Sequence, residues 1–459
     1  MDAFEEARGS HLELSRVDLR FRELAKDSPE LLDRQSFRSL DEDKALLSYR
    51  LQSWPTFVGA EKMDELRRVS VGISRLLRTV PERVFRRDLK KIAEFYGLPS
   101  LAIAQVLLTP PTGAEAMISR ADFIDTARGF QCIEFNFTPH LGGWDTTIIT
   151  GRQLALPPVA RFIAEEGLQI GFTDTLFEML RHIIEDVDRK GIVRGDTMTA
   201  VLMVSQEDLP DLAVPAEHLR KEMQRTLAAL GSDREGRLLC CAPEDVVQKG
   251  NSLFFSGQKI DAIVDLSGAW PSAPIYRAFK GNFVGLYNGA MGPLLSSKRN
   301  LALLSEHAGS GAYSAEERAF IEAHVPWTRL VLPGMIEHEG RQRPIEELLI
   351  RCRERMVLKD ADEAGGKGVV LGRSASEEEW RLTIERALRE GDWIVQEAQK
   401  SLPYLYQSGD YGCSVHEMIW GPFVFGDRFG GVVLRMQPRA AGGAVNLSLH
   451  ATEGIVLEV

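Results

Sequence analysis

The sequence predicts a mixed α/β (α+β) protein, and three patterns support that fold class. Residues 1–115 are dominated by apolar residues at helical spacing. Strand patterns with a period of two follow, and residues 161–290 alternate apolar strands with amphipathic helices. The chain has 459 residues, which indicates two or three structural units rather than one core.

The first of these units, residues 1–115, is predicted to be mainly helical. Between Leu66 and Leu77 the apolar residues recur at helical spacing, with arginines between them. A solvated helix face explains those arginines most simply, and a basic strip for an anionic substrate is the alternative.

Two strand patterns carry the polar residues that are most informative about function. In each strand, alternation places polar side chains on the face away from an apolar layer. The polar set is Arg120, Asp122, Cys132, Glu134 and Asn136. The apolar face of the second strand is predicted to be Ile133, Phe135 and Phe137. Carboxylate and amide oxygens suit Mg²⁺, which completes its coordination with waters and phosphate oxygens.

A glycine-rich turn near the end of the chain is a candidate phosphate holder. A strand from Met356 to Lys359 is followed by the turn 360–368 and a second strand from Val369. Glycines let backbone N–H groups approach an anion, and Lys359 adds a point charge. An ordinary hairpin explains this turn equally well by itself.

Two further segments strengthen the phosphate hypothesis. The strand that begins at Asp392 ends in Gln396 and Glu397, and Lys298 opens an apolar helix. Together, these segments resemble the ATP-grasp ligases, in particular the circularly permuted group typified by glutathionylspermidine synthetase. In that group the metal-ligand strands precede the nucleotide-binding lysines, as they do here.

The resemblance implies a role for each matching residue. The residue that steadies the acyl phosphate would be Arg120. The magnesium ligands would be Asp122, Glu134 and Asn136. The lysines on the ATP phosphates would be Lys298 and Lys359. The loop over those phosphates would contain Gly365, Gly366, Lys367 and Gly368. The linker that meets adenine and ribose would be Gln396 and Glu397. An arginine and an asparagine near the end of the grasp would be Arg435 and Asn446.

The resemblance also implies a discontinuous domain order. Residues 116–160 would supply the metal-ligand strands of the grasp C-lobe, and residues 161–290 an open-sheet pre-ATP-grasp domain. Residues 291–400 would form the nucleotide-binding lobe. Residues 401–459 would complete the C-lobe and share a sheet with the metal-ligand strands.

The implied activity is ATP-dependent joining of a carboxylate to an amine, with ATP and Mg²⁺ as cofactors and an acyl phosphate as intermediate. The reactants would be small molecules or peptides. Three alternatives stay open: surface ion pairs on an unrelated α/β protein, a nucleotide-binding pseudoenzyme acting as an interaction module, and a phosphotransferase. His140, Arg277 and Lys280 are further candidates for substrate contact.

Composition limits the classes of binding partner and the cellular compartment that we expect for this protein. The net charge of −11 argues against general nucleic-acid binding. No apolar run approaches the roughly 20 residues that cross a bilayer, and the acidic N-terminus lacks a signal-peptide hydrophobic stretch. Five cysteines without a Cys-x-x-Cys pair favour a reducing cytoplasm. The oligomeric state stays open, homo-oligomers included.

Overall fold

The computed structural model describes residues 2–33, 49–108, 117–268, 270–289, 291–363, 368–445, 447 and 451–459. It has a mixed α/β architecture of helices around several sheets, as the sequence predicts. No helix within those ranges is long and apolar enough to cross a membrane.

The N-terminal region is helical except for one short strand. Its elements are α1 (Ala3–Leu14), α2 (Arg16–Ala25), α3 (Pro29–Leu32), β1 (Thr56–Val58), α4 (Ala60–Phe85), α5 (Leu89–Tyr96) and α6 (Ser100–Leu108). The long helix α4 buries Leu66, Val69, Ile73 and Leu77 at helical spacing against the main core. The region is therefore not separate from the rest, because β1 joins the largest sheet of the protein.

Two strands and two helices follow: β2 (Ile118–Thr126), β3 (Gly129–Asn136), α7 (Thr146–Ala155) and α8 (Pro157–Glu165). The next unit contains α9 (Thr175–Arg189), β4 (Thr197–Met203), α10 (Ala213–Ala229), β5 (Glu235–Cys241), β6 (Val247–Lys249), β7 (Ser252–Phe255), β8 (Gln258–Lys259), β9 (Ala262–Asp265), α11 (Ala273–Lys280) and β10 (Gly285–Tyr287). Its main sheet is parallel, in the order β10-β9-β4-β5. Buried apolar runs such as that of β4 are typical of a parallel sheet covered on both faces.

The lobe of residues 291–397 is built around a small antiparallel sheet. Its elements are α12 (Met291–Ser296), α13 (Arg299–His307), α14 (Ala315–His324), β11 (Thr328–Leu330), β12 (Met335–His338), β13 (Arg341–Pro344), α15 (Ile345–Arg351), β14 (Met356–Asp360), β15 (Val369–Leu371), α16 (Glu377–Glu390) and β16 (Trp393–Glu397). The sheet has the order β11-β16-β14-β15. Helix α16 packs Trp380 and Ile384 into its core and ends at the left-handed Gly391.

The chain ends with β17 (Tyr404–Ser408), β18 (Gly412–Phe425), β19 (Arg428–Pro438) and β20 (Thr452–Glu458). These strands join β1, β2 and β3 in the central sheet, in the order β1-β20-β19-β18-β2-β3 with β17 also paired to β18. Strands from residues 116–160 and 401–459 thus share one sheet. One face of that sheet packs on the main core, and part of the other face borders a cavity.

Candidate active site

The polar residues of β2 and β3 form two cross-strand pairs. Arg120 lies opposite Asn136, and Asp122 lies opposite Glu134. All four side chains line one cavity. Directly opposed residues in an antiparallel pair have Cβ atoms about 4.5–5.5 Å apart. The two carboxylates are therefore neighbours on the same face of the sheet.

A β-bulge changes which residues of β3 share that face. The β2–β3 register passes from Asp122–Glu134 to Phe123–Cys132, so Ile133 has no partner residue in β2. Cys132 consequently points into the main core, whereas Ile133 lines the cavity. The sequence-based placement of both residues is wrong, because strict alternation does not anticipate an inserted residue.

Two arginines converge on Asp122. Arg120 Nε lies 3.2 Å from Asp122 Oδ1, and a guanidinium nitrogen of Arg435 makes a close contact with the same oxygen. Arg120 also donates to the carbonyl of Leu141. Both guanidiniums lower the pKa of the Asp122 carboxyl, against the opposing effect of burial. Within the described residues, Arg435 Nε is buried and has no hydrogen-bond partner.

A glycine makes room for this cluster. Gly421 of β18 lies across from Val433, and a Cβ atom added there would be 2.9 Å from Val433 Cγ1 and 3.2 Å from Arg120 Cδ. Real Cβ atoms essentially never approach another heavy atom within 3.0 Å. The absence of a side chain at this position therefore lets Arg120 extend over the sheet toward Asp122.

Two lysines from the 291–397 lobe contact strand β3 beside the carboxylates. Lys298 Nζ lies 3.6 Å from Glu134 Oε1 and also donates to the carbonyl of Glu363. Lys359 Nζ donates to the carbonyl of Ile133 and to Gln396 Oε1, both at 2.8 Å. Burial lowers the pKa of Lys359 to about 8, and neighbouring Lys298 acts in the same direction. The two lysines, far apart in sequence, thus both contact the Ile133–Glu134 segment of β3.

The cavity between the central sheet and the 291–397 lobe has a volume of about 540 Å³. Of the predicted site residues, it is lined by Arg120, Asp122, Glu134, Asn136, Lys359, Gln396, Glu397 and Arg435. Apolar side chains form another part of its wall, among them Val357, Leu371 and Met418. A large cleft with apolar walls and a few convergent charges is the usual form of a small-molecule site.

The linker residues are engaged by their neighbours. Gln396 accepts a hydrogen bond from Lys359 through its Oε1 atom, and its Nε2 atom donates to Thr328 Oγ1 at 3.1 Å. Glu397 Oε1 lies 3.1 Å from His338 Nε2 and 3.3 Å from Arg355 Nη2. His338 and Glu397, with Glu339, are close enough to share a cation, but Arg355 already pairs with both carboxylates.

The remaining predicted residues are distributed as follows. Gly365, Gly366, Lys367 and Asn446 lie outside the described residues. Gly368 has a φ of +68°, and a Cβ there would be 2.7 Å from Asp360 Cβ, so glycine is required at this turn. His140 lines the cavity. Arg277 and Lys280 belong to α11 and are not among the described lining residues.

The arrangement also includes residues that were not identified from sequence. Glu453 of β20 lines the cavity and lies opposite Arg435 in the β19–β20 register. The one feature of the sequence that could have indicated Glu453 is its position as an acidic residue at the start of the otherwise apolar strand β20. Asp145, which precedes α7, is buried and interacts with Glu453. No local sequence pattern connects two residues that are so distant.

The donor set fits a magnesium ion. Asp122, Glu134 and Asn136 present oxygen donors on one face of the cavity. Asn136 Nδ2 points to the carbonyl of Arg120 at 3.5 Å, which leaves the amide oxygen as the atom that a cation would bind. The nearby arginines and Lys298 hold both carboxylates in ion pairs and would have to share them with the metal.

Comparison with known proteins gives a structural likeness without a sequence match. No protein-family model matches the chain, and no curated protein matches it. Among solved structures, the fold is similar to a glutathione synthetase-like effector (GSS30) from Globodera pallida in its apo form, with a TM-score of 0.60 and 12% identity. The match covers 95% of this chain and 99% of that one. A likeness at this identity shows the fold alone: the chain shares its overall architecture with that effector.

Proposed function

We propose that this protein is an ATP-dependent ligase that joins a carboxylate to an amine through an acyl phosphate, releasing ADP and phosphate. The observation that carries the proposal is the convergence of four cationic side chains, each buried or largely buried, on two neighbouring carboxylates at one cavity. The cations are Arg120, Lys298, Lys359 and Arg435. This excess of positive charge suits a polyphosphate, and two carboxylates with an amide suit its magnesium.

ATP would lie across the boundary between the two lobes. Lys298 and Lys359 would hold its phosphates as point charges, while Val357, Leu371 and Met418 offer an apolar surface for the base. Gln396 and Glu397, at the end of β16, present polar atoms beside that surface. Residues 360–363 lie next to Lys298 through the Glu363 carbonyl, so phosphate binding at Lys298 would act on the start of this turn.

The chemical step needs stabilisation of charge on the transferred phosphoryl group and then on the tetrahedral carbon. Arg120 and Arg435 lie largely buried beside the carboxylate pair, and their planar guanidiniums match phosphate and oxyanion geometry. Arg435 Nε, which lacks a partner among the described residues, is a donor ready for such an oxygen. Asp122, Glu134 and Asn136 would hold Mg²⁺, which neutralises phosphate charge when bound.

The structural likeness supports the same proposal. The name of the similar protein describes it as glutathione synthetase-like, and a synthetase-like fold is compatible with the proposed ligase activity. That protein is an effector, so a scaffold role is the alternative that experiments must separate from catalysis.

A mass-spectrometric screen tests the proposal directly. The protein is incubated with ATP, Mg²⁺ and pools of carboxylates and amines, and products lighter by one water than the summed reactants are sought. We expect such a product together with ADP release that depends on both reactants. ADP release that needs only one reactant, with a phosphorylated product, would instead indicate a phosphotransferase.

The matched variant for this screen is Glu134→Gln, which keeps the shape of the side chain and removes a metal-ligand charge. Product formation should fall strongly in the variant, and raising Mg²⁺ should restore part of it. Tight Mg·ATP binding without any ADP release across the pools would favour the scaffold alternative.

A further inference from the structure

The hairpin β12–β13 brings a histidine against the end of β16. His338 is the last residue of β12, and its ring packs edge-to-face on Trp327, with 4.8 Å between the ring centroids. Trp327 also fixes both neighbours of that ring. Its Nε1 atom donates to the Glu337 carbonyl at 3.2 Å, and its own carbonyl accepts from the Glu397 N–H at 2.9 Å. Only 5% of His338 is exposed, so the imidazole has a fixed position.

Three side chains that commonly bind metal ions meet at this position. One ligand atom each from His338, Glu339 and Glu397 lies within 4.8 Å of the other two. Among the described residues, no second group of three histidine, cysteine or acidic side chains is this close. Glu339 belongs to the two-residue turn between β12 and β13, which holds it beside His338.

The distance between two of these atoms suits a shared metal ion. His338 Nε2 is 3.1 Å from Glu397 Oε1. In a tetrahedral zinc site with bonds of about 2.0–2.1 Å, neighbouring ligand atoms are about 3.3–3.4 Å apart. The imidazole and the carboxylate are therefore close to the separation of two ligands of one ion.

Arg355 marks the place that the ion would take. Its Nη2 atom contacts Glu339 Oε1 and lies 3.3 Å from Glu397 Oε1, so both carboxylates share one cationic nitrogen. The Arg355 side chain is 52% exposed, and an ion pair of such a group contributes little stability. It can therefore turn into solvent, whereas a metal ion would bind the same oxygens and gain the imidazole as a ligand.

The second ring nitrogen of His338 also has a suitable neighbour. In the hydrogen bond to Glu397 the neutral ring carries its proton on Nε2, and binding of a metal at Nε2 moves that proton to Nδ1. His338 Nδ1 faces Glu339 Oε2 at 4.0 Å. A carboxylate beside the other ring nitrogen is the usual support of a metal-bound histidine. The ring thus stays neutral, and only its tautomer changes.

The set of donors distinguishes between metal ions. Magnesium takes oxygen ligands, so the set Asp122, Glu134 and Asn136 suits it. One imidazole and two carboxylates are instead typical of Zn²⁺ and the neighbouring transition metals, which hold three protein ligands and leave one position open.

We propose that His338, Glu339 and Glu397 form a binding site for a zinc-type transition-metal ion, which replaces Arg355 between the two carboxylates. The inference goes beyond the ligase proposal and does not depend on it. Two ligands come from the β12–β13 hairpin and one from the end of β16, so the ion would join these elements. Because Glu397 also lines the cavity, the ion would fix part of the cavity wall.

Binding of Zn²⁺ and Co²⁺ to the nucleotide-free protein tests the inference. Calorimetry with Zn²⁺ is performed in excess Mg²⁺, which occupies sites made of oxygen alone, and Co²⁺ reports four-coordinate nitrogen and oxygen ligation by its visible absorption. We expect one Zn²⁺ to bind and the Co²⁺ band to appear. Glu339→Gln and His338→Gln should each weaken Zn²⁺ binding by about 10–100-fold. Arg355→Gln should bind Zn²⁺ several-fold more tightly, because the competing cation is removed.

Hydrogen exchange supplies a structural readout of the same event. Zn²⁺ should slow exchange of the amides of β12 and β13 in the parent, because the ion ties the hairpin to β16. The same addition should have little effect on this hairpin in Glu339→Gln.

His307→Gln is the matched control, because His307 ends α13 and belongs to no such group among the described residues. This variant should bind Zn²⁺ as the parent does. Absence of Zn²⁺ binding by the parent would overturn the inference, as would unchanged binding in both Glu339→Gln and His338→Gln. If the buried substitution His338→Gln prevents folding, the exposed substitution Glu339→Gln decides alone, since unchanged affinity there places the ion elsewhere.

Discussion

Lys359 Nζ donates a hydrogen bond of 2.8 Å to the carbonyl of Ile133, the residue that the bulge leaves without a partner in β2. Through this contact the 291–397 lobe is joined to the sheet that carries the carboxylates. The bulge thus has two effects, since it turns Ile133 toward the cavity and frees its carbonyl from the ladder. Lys359 occupies that acceptor, and under the proposed function it would be shared with, or released to, a bound phosphate.

Replacing Lys359 by Met should stabilise the nucleotide-free protein. Burial lowers the pKa of Lys359 from 10.5 to about 8, so holding the ammonium charged at neutral pH costs folding free energy. Methionine keeps the apolar stem, and after the loss of two hydrogen bonds we expect about 1–3 kcal/mol of net stabilisation. Thermal and urea unfolding measure it, while calorimetry should show ATP affinity reduced by about 10–100-fold.

The pH dependence of that gain has a definite sign. Because the folded pKa of Lys359 is depressed, the unfolded chain binds more protons between pH 8 and 10.5, and parental stability rises with pH there. The stability difference between Lys359→Met and the parent should therefore be largest below pH 8 and shrink toward pH 10.5. Lys90→Met, at an exposed lysine, is the control and should show no such trend.

Gly421→Ala should impair turnover while sparing nucleotide binding. The added methyl group would meet Val433 Cγ1 at 2.9 Å and Arg120 Cδ at 3.2 Å, so both side chains must shift, and we expect the contact of Arg120 with Asp122 to be disturbed. We expect turnover to fall by at least tenfold in the product assay, with a modest loss of stability from overpacking. Gly151→Ala in α7, where a Cβ meets nothing within 4 Å, should be neutral or slightly stabilising. Equal turnover in both variants would contradict the role of Gly421.

Arg120→Lys separates a catalytic role from a simple ion pair. A lysine can still pair with Asp122, but it cannot make a bidentate contact with a phosphoryl group or an oxyanion. We expect nearly normal ATP binding and a loss of about two orders of magnitude in turnover. Arg428→Lys, at the half-exposed pair with Glu185, is the control. If turnover of the variant stays within a few-fold of the parent, the role of Arg120 is limited to its ion pair with Asp122.

Hydrogen exchange in the segment 360–368 should slow when nucleotide binds. Lys298 contacts the Glu363 carbonyl, and Asp360 accepts from the N–H groups of Asp362 and Glu363, so phosphate at Lys298 is coupled to this turn. A non-hydrolysable ATP analogue with Mg²⁺ should protect amides in this segment more than those of the distant hairpin β7–β8. Identical exchange with and without the analogue would argue against closure of the turn.

The local alternation of residues was sufficient to predict which polar residues of β2 and β3 share one face of the candidate site. A period of two in β2 places Arg120 and Asp122 on one face, and the same period places Glu134 and Asn136 opposite them. The bulge interrupts this period at Ile133, and Cys132 therefore lies in the core. A bulge is set by how two strands fit together, so neither strand reveals it alone.

Features that depend on contacts between distant parts of the chain could not be predicted from local sequence patterns. The sheet partner of β1 is β20, some 400 residues away, and a three-residue strand within a helical region gives no local indication of it. The electrostatic environment of Glu453 is set by Arg435 and Asp145, which come from different parts of the chain. Lys359 was predicted as a phosphate holder from the glycine-rich turn that follows it, whereas its pairing with Lys298 was implied by the resemblance, since no spacing rule links the two lysines.

The order of strands in the central sheet has a consequence for synthesis of the protein. Strands β2 and β3 leave the ribosome early, but β2 pairs with β18, about 300 residues later in the chain. Until β18 is made, this edge of β2 is unpaired beside apolar residues such as Phe123 and Phe130. Contacts of such sequence separation slow folding, so the nascent chain carries an aggregation-prone hairpin through most of its translation. We expect its yield to depend on chaperones that shield this hairpin.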